Sequence, residues 1–151
     1  MTRAIQMKIL DERIKAADIA YGTPGAAAFD LRAAIHENIE IPPNASVMIP
    51  TGVAMHLADA HLAGMILPRS GLGAKKGLIL GNLVGLIDSD YQGQLMVSAW
   101  NRSEETVVVE PLMRFAQMVI VPVVQVQFEV VSEFEDASVR GDGGFSSTGV
   151  K

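Results

Sequence analysis

Almost every periodic stretch of this chain alternates apolar and polar residues at period two, is short, and stops at a cluster of Gly, Pro, Asn or Asp. Period two sends successive side chains to opposite faces of a strand, whereas a helix needs a period of 3.6. Repeated turn signals between such stretches predict an all-β sandwich or barrel. Strands are expected over 6–10, 29–34, 47–49, 52–56, 63–67, 95–101, 106–109 and 115–121. The most regular alternation lies at 123–131, where Val124, Val126, Phe128 and Val130 alternate with Gln125, Gln127 and Glu129. This segment is expected to be a strand with one core face and one wet face. In 95–101, Leu95, Val97 and Ala99 oppose Met96, Ser98 and Trp100, and neither set is strongly polar. Burial on both sides, in a core or at a subunit contact, is the expectation there. One helix is predicted over 70–76, with Ser70 as N-cap, Lys75 and Lys76 in the last turn and Gly77 as a left-handed terminator.

A length of 151 residues fits one domain with a core of its own. Since 49% of the residues are hydrophobic and only 5% aromatic, much apolar surface must be hidden, and burial of part of it between subunits is an expectation. The chain has no cysteine, which excludes disulfides, thiolate metal sites and cysteine nucleophiles together. Seventeen acidic against twelve basic residues give a charge of −5, which argues against a broad nucleic-acid-binding surface. A polyanion would have to be handled by a few local donors and a cation. Residues 1–10 carry charges and lack an apolar signal core, and no run reaches the length of a membrane span, so a cytoplasmic protein is expected. From Arg140 the composition turns to Gly141, Gly143, Gly144 and Gly149 with Ser146, Ser147 and Thr148. The expected organisation is therefore a β-barrel domain over 1–139 and a mobile tail over 140–151.

Five scattered segments carry residues suited to phosphate chemistry. Ala26-Ala27-Ala28-Phe29-Asp30-Leu31 puts a carboxylate in an apolar strand, a costly placement unless Asp30 reaches a cation through water or holds backbone amides. Pro68-Arg69-Ser70-Gly71-Leu72-Gly73 combines a guanidinium, a hydroxyl and amides where a strand enters the helix, either an anion seat or a plain capped turn. It lacks Walker spacing. The run from Gly81 to Gly93 could form a hairpin whose mouth exposes backbone groups. Within it, Asp88 follows Leu86-Ile87, where partial burial would favour a general base, and Tyr91 offers a flat face to a sugar or base, although both aspartates could be turn formers. In Arg114-Phe115-Ala116-Gln117 the arginine could pair with a carboxylate and the glutamine could reach a phosphate or a water. The tail from Arg140 to Gly149 could fold over a nucleotide. None of His36, His56 and His61 has ligand spacing.

In order and wording these segments closely resemble the five motifs of the homotrimeric dUTPase family of bacterial type, over nearly the whole chain. The resemblance rests most on Pro-Arg-Ser-Gly-Leu at 68–72, Gly-Leu-Ile-Asp-Ser-Asp-Tyr-Gln-Gly at 85–93, Arg-Phe-Ala-Gln at 114–117 and Arg-Gly-Asp-Gly-Gly-Phe at 140–145. It implies a jelly-roll-like β barrel and a homotrimer whose active sites are each assembled from three chains. It further implies hydrolysis of dUTP to dUMP and pyrophosphate, limiting uracil in DNA and supplying dUMP for dTMP synthesis. Asp88 resembles the general base that drives water onto the α-phosphorus with Mg²⁺ on the triphosphate, and Asp30 the residue that touches waters of the metal shell. Phosphate contacts are implied for Arg69, Ser70, Gly71 and Gln117, and for Arg140, Ser147 and Thr148 in the tail. Asn82, Gly85 and Met96 belong to the implied nucleoside pocket, with Tyr91 against the deoxyribose and Phe145 over the uracil. Two departures stand out: Ala-Ala-Phe-Asp where Gly and Tyr are common, and Ser146 where a third glycine is usual, which would restrict the closed tail. A dCTP deaminase of the same superfold would need a glutamate base near Ser70 that this sequence lacks. A silent nucleotide sensor would have no need of Asp88, Tyr91 and the tail together.

Overall fold

A computed structural model describes residues 4–136, 138–139 and 141–142. Its elements are β1 (Gln6–Ile9), β2 (Phe29–Arg32), β3 (Ile39–Ile41), β4 (Ser46–His56), β5 (Leu62–Pro68), α1 (Ser70–Lys76), β6 (Leu78–Leu80), β7 (Gly85–Ile87), β8 (Gln94–Asn101), β9 (Val107–Val109) and β10 (Arg114–Pro122), with a 3₁₀ turn at Ala16–Asp18. Strands pair antiparallel into two four-stranded sheets, ordered β1-β4-β8-β6 and β2-β10-β5-β7, and a small β3-β9 ribbon. The inward set of each period-two pattern meets between them: Leu31, Ile49, Ile66, Leu95, Val97 and Met118 are all buried. This is the all-β architecture expected from the alternation, and it contains one α-helix among the described residues.

Local chemistry explains where elements stop. The break read between 47–49 and 52–56 is a bulge inside the single strand β4, where the register with β8 shifts between Pro50 and Ala54. Gly52 sits there at φ +69°, and a Cβ on it would lie 2.7–2.9 Å from Ile14, Ala34 and Asp11. Helix α1 ends as expected, with Gly77 left-handed and its N–H donating to the Leu72 carbonyl. Its start differs: Arg69 is the N-cap, without a side-chain bond, and Ser70 is the first helical residue, because Arg69 still carries the extended backbone of the strand before it.

One further expectation is corrected. The segment 123–131 forms no strand: Val124, Val126, Phe128 and Val130 are 85%, 63%, 86% and 97% exposed. Strand β10 runs out of partners at Pro122, which stands opposite Leu62, the first residue of β5, and Val123 donates to the His61 carbonyl at 2.8 Å as the arm departs. Within one chain, strand β8 buries one face, with Leu95, Val97 and Ala99 inside, Met96 exposed and Ser98 and Trp100 half-buried, which leaves its second face to the alternative of a subunit contact. The three-residue strands β3, β6 and β7 are not among the expected strands, whereas the equally short β9 falls within the expected 106–109.

The connection after β1 is clasped by Asp11, whose carboxylate accepts from the backbone N–H and side-chain Nε of Arg13 at 3.0 and 2.9 Å, while Arg13 Nη1 donates to the Ile35 carbonyl. This clasp drops Ile14 into the core. The hydrogen bond from Arg13 lowers the Asp11 pKa from 3.8 to about 2. A carboxylate more acidic in the folded state contributes stability that is complete above its unfolded pKa and fades as pH falls through the folded one. Asp11→Asn is therefore expected to lower the melting temperature at neutral pH, with the deficit shrinking from about pH 4 downward and gone only below about pH 2. Melting curves of both proteins across that range check it, and a deficit independent of pH would contradict it.

Candidate active site

Three adjacent strands bring the first cluster together. Asp30 on β2 stands opposite Gln117 on β10, and Ala116 stands opposite Pro68 at the end of β5. Asp30 is half-buried, and a carboxylate there needs donors. It finds two: Arg69 Nε at 2.7 Å on Oδ1 and Arg114 Nη1 at 3.2 Å on Oδ2. Arg69 also donates from Nη1 to the Arg114 carbonyl at 3.1 Å, so its guanidinium is held from two sides. Gln117 donates from Nε2 to the Pro68 carbonyl at 2.9 Å, which leaves its amide oxygen facing other groups. Ser70 and Gly71 are exposed immediately beyond Arg69. A hollow of about 290 Å³ opens beside Asp30 and Arg114. The carboxylate pairing open to Arg114 on sequence grounds is thus with Asp30, and the signal for it was an arginine beginning a strand next to an acid-bearing one. Among the described residues, no group of three or more His, Asp or Glu side chains could cage a metal.

The second cluster is the hairpin from β6 through β7 and on to β8. Gly81 donates its N–H to the Ser98 carbonyl at 2.8 Å, which joins the hairpin's start to β8, two residues from Met96 on the same strand face. Asn82 is exposed at the tip, and Gly85 is buried, its Cβ position only 3.2 Å from Ile66. Tyr91 donates its hydroxyl to the Gln94 carbonyl at 3.0 Å and lies over Gly93, where an added Cβ would come within 2.4 Å of that hydroxyl oxygen. The ring is thereby fixed while 42% of the residue stays exposed. Asp88 is exposed, not partly buried as expected, because β7 ends at Ile87 and the chain turns out of the sheet. Its backbone carbonyl accepts from the Tyr91 N–H, and the Ser89 carbonyl accepts from Ala58 at 3.0 Å. An open groove of about 710 Å³ runs past Asp88, Asp90 and His56.

One chain does not bring Asp88 to the Arg69 cluster, although the hairpin's other end runs toward it, Gly85 standing opposite Ile66. In the β5–β7 pairing Ile66 faces Gly85 and Gly64 faces Ile87, so Asp88 emerges at the Leu62 end of β5. Arg69 follows Pro68 at the other end. At roughly 3.3 Å per residue, the six steps from 63 to 69 place them about 20 Å apart along the strand. Arg140, Phe145, Ser147 and Thr148 lie outside the described residues.

The family model for dUTPase matches residues 15–149. A protein of Laribacter hongkongensis called deoxyuridine 5'-triphosphate nucleotidohydrolase is 61% identical over 145 residues, 96% of this chain and 97% of its own. A protein of the same description from Leptothrix cholodnii is 61% identical over 149 residues, covering 99% of both chains. Among solved structures, the dUTPase of Staphylococcus bacteriophage 80alpha with dUPNHPP superposes with a TM-score of 0.88 at 27% identity, over 99% of this chain and 100% of that one. A mutant dUTPase of phage phi11 of S. aureus, solved for its coordination of a structural Mg(II) ion, shares the fold at a TM-score of 0.78 and 22% identity, over 89% and 100%. With the family model matching residues 15–149 and relatives 61% identical over nearly its whole length, this chain belongs to the dUTPase family.

Proposed function

We propose that the chain hydrolyses dUTP to dUMP and pyrophosphate, and that it does so only as an assembly of copies. The observation that carries the second half is the separation of about 20 Å between Asp88 and the Arg69 cluster at the two ends of β5. A triphosphate that engages both Asp88 and the Arg69 cluster must take them from different subunits. The arm beyond Pro122, with its row of exposed valines and Phe128, supplies apolar surface for such an assembly, which we take to be the homotrimer. Three shared sites would then form at the subunit boundaries.

In this reading uracil enters the 82–91 hairpin, where Asn82, Gly85 and nearby backbone groups match its polar edge. Cytosine would leave some of those groups unpaired, which makes its rejection strong. Tyr91 packs on the deoxyribose, and Met96 lines the pocket from β8. Asp88 accepts a proton from water as that water attacks the α-phosphorus, and pyrophosphate leaves. Arg69, Ser70, Gly71 and Gln117 of a neighbouring copy orient the phosphates, with the Asp30 carboxylate fixing the direction of the Arg69 guanidinium. The tail over 140–151 closes the site in this scheme, with Arg140, Ser147 and Thr148 toward the phosphates and Phe145 toward the base. The domain boundary therefore falls at 139.

The donor set fits a magnesium ion carried in on the nucleotide. Such an ion keeps several waters and needs few protein ligands. Asp30 spends one acceptor position on each guanidinium, and its remaining lone pairs can take hydrogen bonds from metal-bound water. When bound, Mg²⁺ supplies charge neutralisation across the triphosphate. The product would feed dTMP synthesis and keep uracil out of DNA. One assay tests the activity: release of pyrophosphate and of ammonia from dUTP and dCTP, with and without Mg²⁺. Pyrophosphate from dUTP alone, strongly reduced without the metal, is expected. Ammonia from dCTP would mean a deaminase, and binding without product would mean a sensor.

A further inference from the structure

The tip of the β6–β7 hairpin contains a backbone feature that its sequence does not require. Val84 donates its N–H to the Asn82 carbonyl at 2.7 Å, closing a three-residue γ-turn, and Leu83 at the centre has φ +63°. A γ-turn with positive φ at its centre is the rarer and more strained form, and a bulky residue there is an outlier. The leucine side chain is 64% exposed, so no packing within the chain holds it there. The other non-glycine residues at positive φ have simpler accounts: Asn44 tolerates this region, Ala58 is small, and Leu112 is packed against the core with both backbone groups bonded. More permissive residues stand close by, since Asn82 precedes Leu83 and Gly85 lies two further on, yet the left-handed conformation falls between them.

The turn decides which groups the tip can offer. It occupies the Asn82 carbonyl, while the N–H of Leu83 goes to the Leu80 carbonyl at 3.0 Å and that of Gly81 to Ser98. Among the described residues the Asn82 side-chain amide has no hydrogen-bond partner. We infer that Leu83 is a positioning residue for base selectivity: its left-handed backbone closes the γ-turn that fixes where the Asn82 amide is presented to the nucleobase. Strain held at a binding loop in this way is a form of preorganisation.

The inference rests on reading this hairpin as the uracil site, and kcat and KM for dUTP and dCTP test both. Leu83→Gly removes the strain but also the restriction, and a glycine folds into either arrangement. It should melt at or above the wild-type temperature, raise KM for dUTP about tenfold with kcat within about twofold, and erode the preference over dCTP about tenfold. Leu83→Asn keeps a residue that tolerates the left-handed region and should stay within about threefold of wild type in every constant. Wild-type KM and selectivity in the glycine variant would overturn the inference, and so would an asparagine variant as impaired as the glycine one, since the leucine side chain would then be responsible. A wild-type protein that turns over dUTP without preferring it to dCTP would remove the uracil reading and this inference with it.

Discussion

Replacing Asp88 by asparagine should lower kcat for dUTP by about 10²- to 10⁴-fold while leaving nucleotide binding within a few-fold of wild type. The substitution keeps shape while removing the proton-accepting carboxylate and its charge. Structural damage is not expected: the residue is exposed, its side chain has no partner among the described residues, and the local turn is held by backbone groups, the Asp88 carbonyl accepting from Tyr91 and Ser89 from Ala58. Asp90 on the same groove is a control, since it is equally exposed but has no role in the scheme. Asp90→Asn should keep turnover within about threefold, as for an ordinary surface change. Single-turnover rates with saturating dUTP, beside equilibrium binding of a non-hydrolysable analogue, separate chemistry from affinity. Turnover near wild type in Asp88→Asn would remove this carboxylate from the mechanism, and equal losses in both variants would indicate an electrostatic effect of the groove.

Much of this geometry is legible in the sequence because local and tertiary preferences agree. The inward sets of β5 and β10 are apolar and each strand ends on a proline, so propensity and pairing give the same answer. Helix α1 was readable from the lysines of its last turn and the glycine after it. What failed is whatever depends on partners. The alternation at 123–131 says that the segment can cover an apolar surface, but periodicity carries no information about whose surface, and within this chain β10 runs out of partners at Pro122. Met96 is exposed for the same kind of reason, as the far face of β8 is left uncovered by this chain's own elements. Asp88 shows the complementary case: Leu86 and Ile87 before it look like burial, yet Leu86 points its apolar surface outward at 65% exposure, so the neighbourhood gives Asp88 little cover. The motif segments could be named individually from their chemistry. That Asp30, Arg69 and Arg114 form one ion-paired unit, with Asp88 at the far end of β5, required strand order and register.

Two truncations should then have different consequences. Removing 140–151 is expected to abolish most turnover and leave the oligomer intact, because in the proposed scheme this segment serves as a lid and contributes nothing to the barrel. Removing 123–151 is expected to give a folded monomer without activity. Val124, Val126, Phe128, Val130 and Phe134 are each more than half exposed in the isolated chain. Burying side chains of this size contributes about 1.5–3 kcal/mol apiece, so an arm laid on a neighbour supplies on the order of 10 kcal/mol to assembly. The barrel core uses none of these residues and should survive their loss. A monomer would retain Asp88 and Arg69 at their separation of about 20 Å along β5, too far apart for one triphosphate to engage the base and the guanidinium together. Light scattering on a sizing column, paired with pyrophosphate release, distinguishes the two cases. A 1–122 chain that still assembles would place the subunit contacts elsewhere, and a monomeric chain that still hydrolyses dUTP would mean that one copy holds a complete site.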